Sequence, residues 1–296
     1  MRILHFSDIH LPVRLRRVRL VDWLGKRALG GLNLLRGRAK RFAEGHEKLA
    51  ALDRLRREQD VDFVVFSGDY TNLGTRRELT DARAAVTPLT EAPAGFAQVP
   101  GNHDLYVPEV VRRGWWSEVF GDLERTDLPA YRVSDEPWPF VRLLDEGVAI
   151  VGVNSARPNP PWLSSGAVPE PQLDALRRLL ADDALSDRFI FVVSHYAPRL
   201  EDGARDTPHH GLDNADAYLA ACAAIERGAI LCGHVHRRYT VRADGVRAPI
   251  FCAGSATMQA AEGLWLFDVD AKGARATPGA WRDGGYVLEP EHAVSM

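Results

Sequence analysis

The sequence predicts an α/β fold. Short apolar runs, rich in β-branched and aromatic residues, alternate with longer amphipathic stretches, and nearly every run ends in a residue able to bind a metal or a phosphate. Alternation of this kind implies parallel strands joined by helical crossovers. In such sheets ligands collect where the strands end. A chain of 296 residues buries roughly three quarters of its unfolded surface, enough for an independent core.

The runs follow in order. Residues 3–6 lead to Asp8, 61–66 to Asp69, 96–99 to Asn102, 148–153 to Asn154, 189–193 to His195 and 229–232 to His234. Each is a few apolar residues closed by a polar turn, the signature of a buried strand. Helical periodicity falls between them, over 44–57, 75–89, 170–180 and 215–227. The last third reads differently. Residues 239–242, 250–253, 264–268 and 274–281 form strands joined by turns such as Ala243-Asp244-Gly245, so antiparallel hairpins are expected to complete a second sheet. With no internal repeat or low-complexity tract, residues 1–282 read as one domain and 283–296 as a C-terminal tail.

Composition is that of an ordinary globular protein, and a net charge of −3 gives no general case for nucleic-acid binding. The cysteines Cys222, Cys232 and Cys252 sit in apolar runs and read as reduced core residues, which fits the cytoplasm. The first nine residues run straight into a strand with no apolar leader, and no apolar run is long enough to span a bilayer.

Five motifs carry the chemistry: Asp8-Ile9-His10, Gly68-Asp69, Gly101-Asn102-His103-Asp104, Ser194-His195 and Gly233-His234-Val235-His236. Half of the ten histidines fall inside them, which argues against chance clustering. Oxygen and nitrogen donors without thiolate suit a pair of divalent metals acting on phosphate, not a structural zinc. The one-residue spacing in Asp8-x-His10 and His234-x-His236 places both side chains on one face if the strand continues. The glycines before the ligands allow a tight turn that brings the backbone close.

In this order the motifs resemble the calcineurin-like metallophosphoesterase superfamily, over residues 1 to about 255, and within it most of all the bacterial cyclic-nucleotide (class III) phosphodiesterase branch. The resemblance implies a four-layer α/β/β/α sandwich of two facing mixed sheets with a dimetal site at one edge. It implies Asp69 as bridging carboxylate, Asp8, His10 and His236 on one metal, and Asn102, His195 and His234 on the other. The metals would be manganese, iron or zinc. It further implies that a metal-bound hydroxide attacks phosphorus, that His103 faces the substrate, and that Asp104 orients the His103 imidazole. The leading expectation is a phosphodiesterase acting on a nucleotide-like small molecule. A metal-free binding scaffold is the contrasting class, disfavoured because every expected ligand is present.

Several segments depart from the common pattern. Tyr196 stands where many relatives carry a second histidine; it could contact substrate or fill a gap. His209 and His210 lie on the loop between His195 and His234, and Asn154 opens a proline-rich run; all three are candidate substrate contacts. Residues 11–42 form a basic amphipathic insertion directly after the first motif. It holds ten Arg or Lys and one acid, Asp22, interleaved with leucines, valines and Trp23. Connections of that length are usually functional or disordered. Its inventory fits an interfacial segment, which gives an alternative reading: a peripheral-membrane pyrophosphohydrolase of a sugar-nucleotide lipid such as UDP-diacylglucosamine, on the inner membrane face. A flap packed on the domain is the plainer alternative. With only Trp23 and Phe42 as aromatics, the segment makes a thin platform for nucleic acid.

Overall fold

Two mixed sheets lie face to face in a computed structural model that describes residues 1–13, 18, 23, 25–133 and 136–296. The strands are β1 (Arg2–Phe6), β2 (Phe63–Phe66), β3 (Gly95–Gln98), β4 (Phe140–Leu144), β5 (Val148–Gly152), β6 (Phe189–Val193), β7 (Gly228–Cys232), β8 (Arg238–Val241), β9 (Ile250–Ala253), β10 (Leu264–Asp270), β11 (Gly273–Arg282), β12 (Gly285–Leu288) and β13 (Val294–Ser295). One sheet runs β12-β11-β10-β1-β2-β3, with β13 also on β11; the other runs β4-β5-β6-β7-β9-β8. The parallel parts are β1-β2-β3 and β5-β6-β7-β9. Antiparallel strands extend both sheets outward.

Both faces of the parallel strands are buried, which is why they read as unbroken apolar runs. Ile3, Phe63, Val65, Phe191, Val193, Leu231 and Phe251 fill the space between the sheets. Their neighbours Leu4, Val64, Phe66, Ile190, Val192 and Ile230 point the other way, into a second core shared with the helices. The helices are α1 (Lys26–Asn33), α2 (Ala39–Arg41), α3 (Gly45–Glu58), α4 (Arg76–Val86), α5 (Pro108–Arg112), α6 (Trp115–Phe120), α7 (Glu170–Leu180) and α8 (Ala215–Cys222). Leu173, Leu176 and Leu179 illustrate the logic: spaced three apart on α7, all are buried. The result is the expected α/β/β/α sandwich.

The differences from expectation have physical causes. Residues 283–296 are not a tail: β12 and β13 both pair with β11, and Tyr286 is buried. The Asp283-Gly284 turn after β11 reverses the chain, with both residues at positive φ. The late strands do not all join one sheet; β8 and β9 complete one while β10 and β11 extend the other. Strand β4 and helices α5 and α6 lie in stretches where no periodicity was apparent. Helix α4 starts with a capping box, in which Thr75 and Glu78 bond each other's backbone N–H. It gives way to a 3-10 turn at Thr87–Glu91, where Pro88 lacks an N–H to continue it.

The basic insertion is partly visible. Arg14, Leu15, Arg16, Arg17, Arg19, Leu20, Val21, Asp22 and Leu24 lie outside the described residues. From Gly25 onward the segment is helical and anchored. Arg27 is buried, bonding Glu109 (2.9 Å) and the carbonyls of Leu73 (3.0 Å) and Gly74 (2.8 Å). Leu34 packs with Leu73 and Tyr106.

One buried acid makes the fold's stability pH-dependent. Trp116 on α6 donates its indole N–H to Glu124, and burial pushes that carboxyl from 4.5 up to about 7. Because the folded state holds this proton more tightly than the unfolded chain, stability is lost as pH rises through the interval from 4.5 to about 7. The loss is of order 3 kcal/mol. Glu124→Gln should therefore gain on the wild type by about that amount between pH 4.5 and 8 in urea unfolding. A pH-independent difference between the two proteins would rule the assignment out.

Candidate metal centre

The motif residues lie just past the strand ends, in a backbone conformation that side chains seldom tolerate. Asp8 (φ 54°), His10 (32°), Asp69 (69°), His234 (72°) and His236 (51°) are all left-handed. Such positions cost about 1–3 kcal/mol each and persist only where surrounding bonds dictate them. The pairs Asp8-x-His10 and His234-x-His236 thus converge through repeated left-handed turns. Strand alternation, the expected reason, does not apply, because β1 ends at Phe6 and β7 at Cys232.

Several bonds hold these turns. Asp8 N–H donates to the Gly68 carbonyl (2.9 Å) and His10 N–H to that of Asp69 (3.1 Å), carrying β1 alongside β2 beyond both strands. The Ser255 hydroxyl donates to the Asp8 carbonyl (2.6 Å), and His234 N–H donates to the Asp8 carboxylate (2.9 Å). Two glycines are required by close approach. A Cβ on Gly101 would lie 2.1 Å from Asp69 Oδ1, and one on Gly233 would lie 1.9 Å from Ser7 Oγ.

The donor atoms gather in two sets. In the first, Asp8, His10, Asp69 and His236 each bring one atom within 4.8 Å of the others. His236 Nε2 is 3.1 Å from Asp8 Oδ1 and 3.2 Å from His10 Nε2. In the second, Asn102 Oδ1 lies 3.0 Å from both His195 Nε2 and His234 Nδ1. Asp69 Oδ2 stands between the sets, 3.5 Å from His10 Nε2 and 3.5 Å from His195 Nε2. Donors about 2.1 Å from a shared ion sit ~3.0–3.4 Å from one another, so these separations fit divalent metals.

The outward ring nitrogens fix the tautomers. His10 Nδ1 donates to the Thr71 carbonyl (2.8 Å), His195 Nδ1 to that of Ser67 (2.8 Å) and His234 Nε2 to that of His210 (2.9 Å). Each leaves a lone pair facing inward, the arrangement of metal-ligating histidines. Asn102 donates its amide to Ser164 Oγ (3.2 Å), which turns its oxygen inward. Burial lowers the pKa of His10, His195 and His234, so they are neutral donors. Burial and the neighbouring Asp8 and Asp104 carboxylates raise Asp69 well above the usual range. Carboxylates crowded together among neutral imidazoles resist ionisation, and a metal cation would relieve that crowding.

The calcineurin-like phosphoesterase profile matches residues 1–238. The chain belongs to that family. It is a metal-dependent phosphoesterase that uses two divalent metal ions. A dimetal phosphatase of Danio rerio shares the fold at 14% identity and TM-score 0.62, over 97% of this chain and 98% of that one. A purple acid phosphatase from yellow lupin seeds (12%, TM-score 0.56) is covered over 52% of its length by the whole of this chain. The anchor in the inner membrane complex of Plasmodium, covered over 88% (11%, TM-score 0.54), also matches along the whole chain. No curated protein sequence matches significantly.

Around the donor atoms the phosphoesterase forms a cavity of about 560 Å³. His103 lines it, but Asp104 does not orient that imidazole. His103 Nδ1 donates instead to the Asn72 carbonyl (2.7 Å). Asp104 is fully buried and accepts from the backbone N–H of Asp69 (2.9 Å), Tyr70 (2.9 Å), Thr71 (3.1 Å) and Gly101 (2.9 Å). Burial still pushes it up to about 7.

The candidate substrate contacts divide. His210 reaches the cavity, paired with Asp206 at 2.6 Å. His209 does not line it; its carbonyl accepts Ser164 N–H. Tyr196 is fully buried, donates to the Ser164 carbonyl (2.7 Å) and packs against the His234 ring, so it is a positioning residue. Asn154 is off the cavity because its Oδ1 caps Ala156 N–H (2.9 Å). His5, outside every motif, is a core residue bonded to Ser67 Oγ, its pKa lowered to about 3 by burial. Sequence reasoning missed Ser164, and it did not single out Arg38 and Arg41 among the cations of the insertion, although both line the cavity. Asp206, His210 and His234 also bring donors within 4.8 Å. That set competes for His234 with Asn102 and His195.

If Asp104 holds the turns, Asp104→Asn turns an amide donor toward N–H groups. We expect a stability loss of about 3 kcal/mol, with bound manganese falling at least tenfold by elemental analysis. Normal stability and metal content would restore the simpler imidazole-orienting role.

Proposed function

We propose that this phosphoesterase hydrolyses a phosphodiester of a nucleotide-like small molecule, with Asp69 as the ligand common to both metals. The observation that carries the reading is the position of Asp69 Oδ2, equally far from a histidine of each donor set. Asp8, His10 and His236 complete one site; Asn102, His195 and His234 complete the other. Manganese, iron and zinc all accept such donors. Two ions bound there supply Lewis acidity to the phosphoryl oxygens and acidify a water.

The residues do the rest. Asn102 ligates as a neutral oxygen, which limits the negative charge facing an anionic substrate. His103 lines the cavity with Nδ1 held by Asn72 and Nε2 accepting from Arg38 (3.1 Å), and burial and Arg38 favour its neutral form, so proton donation to the leaving oxygen requires substrate to displace Arg38 and the ring to take up a proton. Its edge meets the His10 ring at 4.8 Å, which keeps it beside the first donor set. The cavity volume is in the range of small-molecule sites.

A second reading, action at an anionic membrane surface, is favoured by one observation. Leu29 (53% exposed), Leu32 (41%) and Leu35 (70%) present apolar side chains on a segment that carries no acid from Gly25 to Ala43. No helix among the described residues is long and apolar enough to cross a membrane.

Manganese-loaded protein should cleave bis(p-nitrophenyl) phosphate and hold two ions per chain. Asp69→Asn should lose both ions and roughly a thousandfold in rate; retention of either would remove Asp69 from the bridging position. His103→Ala should keep both ions and lose far more rate with poor leaving groups than with p-nitrophenolate; equal losses would argue against proton donation. Given cyclic AMP and UDP-diacylglucosamine together, the protein should release AMP. Release of UMP, with co-sedimentation on anionic vesicles at low salt, would establish the membrane reading instead.

A further inference from the structure

The cavity is built to hold a phosphate and offers little to the rest of a nucleotide. Among the described residues, Leu200, Val235 and Met258 are its only apolar lining, and no aromatic side chain other than histidine lines it. A large ring stands just outside. Trp162 is two residues from Ser164, which lines the cavity, and two residues span at most ~7 Å. Trp162 is 74% exposed, more than any other large hydrophobic among the described residues. Tryptophan is mostly covered in folded proteins, and leaving so large a ring in water forgoes the gain of burying it.

The turn that carries Trp162 is preformed. Leu163 N–H donates to the Pro160 carbonyl (3.1 Å), so Pro161 and Trp162 are the two corners of a turn, and the proline ring fixes φ at the first. Before the turn, Asn159 donates its amide to the Ser165 carbonyl (2.6 Å), and Arg157 bonds Ser165 Oγ (3.2 Å) and pairs with Asp213. After it, Ser164 N–H donates to the His209 carbonyl (2.8 Å), Gly166 N–H to that of Gly211 (3.0 Å), and the Tyr196 hydroxyl to that of Ser164 (2.7 Å). A ring held on so well-bonded a turn loses little freedom when a ligand stacks on it. Ser164 Oγ also accepts the Asn102 amide, so the turn stands beside the second donor set, whereas His103 stands beside the first.

We infer that Trp162 is a stacking platform at the cavity rim for the base of the substrate. The inference rests on the nucleotide phosphodiester reading and adds to it a base subsite and an orientation. The nucleoside that stays on phosphorus lies over the turn at Pro161 and Trp162, and the leaving oxygen departs on the His103 side. An indole meets the π-face of a base and not its hydrogen-bonding edge, so the platform accepts every nucleobase and favours those that stack most strongly.

The test compares two diesters with one leaving group: adenosine 5′-(p-nitrophenyl phosphate) and methyl p-nitrophenyl phosphate, which lacks the base. Wild-type protein loaded with manganese should show the higher kcat/KM on the adenosine ester. Trp162→Ala should lose roughly five- to hundredfold on that ester, chiefly in KM, and far less on the methyl ester. Trp162→Phe should recover most of the loss. Independently of turnover, AMP should quench the tryptophan fluorescence of the wild type, and the quench should vanish in Trp162→Ala. Equal losses on the two esters would overturn the subsite, as would the absence of a quench in the wild type or its survival in Trp162→Ala. So would a wild type that cleaves the methyl ester as well as the adenosine ester, an outcome that leaves the phosphodiesterase reading standing. Cleavage of neither ester would sink the two together.

Discussion

A single buried carboxylate organises this site. Asp104 gathers four backbone N–H groups from two separate loops, the turn after β2 and the turn after β3. Each such bond contributes about 0.5–1.5 kcal/mol, and more in the ionised form that the four donors favour against burial. Together they can offset the left-handed backbone at Asp69 and the close approach of Gly101. The same turns leave the Asp69 Oδ1 oxygen to accept His103 N–H (2.7 Å), so Oδ2 is free to stand between the two donor sets. Loss of the Asp104 carboxylate would release the loop that aims Asp69.

The electrostatic design follows the same economy. Asp8, Asp69 and Asp104 are buried close together, and burial discourages ionisation of Asp69 and Asp104. The histidines cannot compensate as cations, since burial holds His10, His195 and His234 neutral and their outward nitrogens are committed to backbone carbonyls. The arrangement is unstable as a set of side chains and stable as a set of ligands. Asn102 fits this logic: another carboxylate would add charge to a site that must also admit a phosphate, whereas an amide supplies the oxygen without it.

The metal-ligand types and the α/β alternation were legible in the sequence because each rests on a local signal, whereas the four-layer sandwich followed from the family resemblance. Apolar runs mark strands buried on both faces, and the donor residues follow them at fixed offsets. What was not legible depends on tertiary placement. Asp104 follows His103 in sequence, which suggested a local pair, but the backbone turns its carboxylate toward the loop of residues 69–71. Tyr196 faces inward because Gly166 leaves room for its ring. The final strands looked like a tail because β12 is short and begins at a diglycine, and its partner β11 is what makes it a strand. Among ten cations in the insertion, nothing in composition distinguishes Arg38 from Arg36; the kink at Gly37 does.

The two sheets and the insertion therefore have separable roles. Ligands come from strand ends of both sheets, so the donor atoms meet only when the sheets are packed, and the inter-sheet core fixes their spacing. Among its described residues the insertion contributes no donor atom to either set. It is anchored by Arg27 to Glu109 and the Leu73–Gly74 backbone, by Leu34 to Tyr106 and by Gln259 to Arg41, contacts that do not pass through the ligands. A change in the insertion can alter the cavity wall at Arg38 and Arg41 while the two donor sets stay in place. The converse does not hold, because Arg38 leans on His103 and Phe42 on His10. Any shift of the ligand turns would move that wall with them, which ties the shape of the cavity to the integrity of the metal centre.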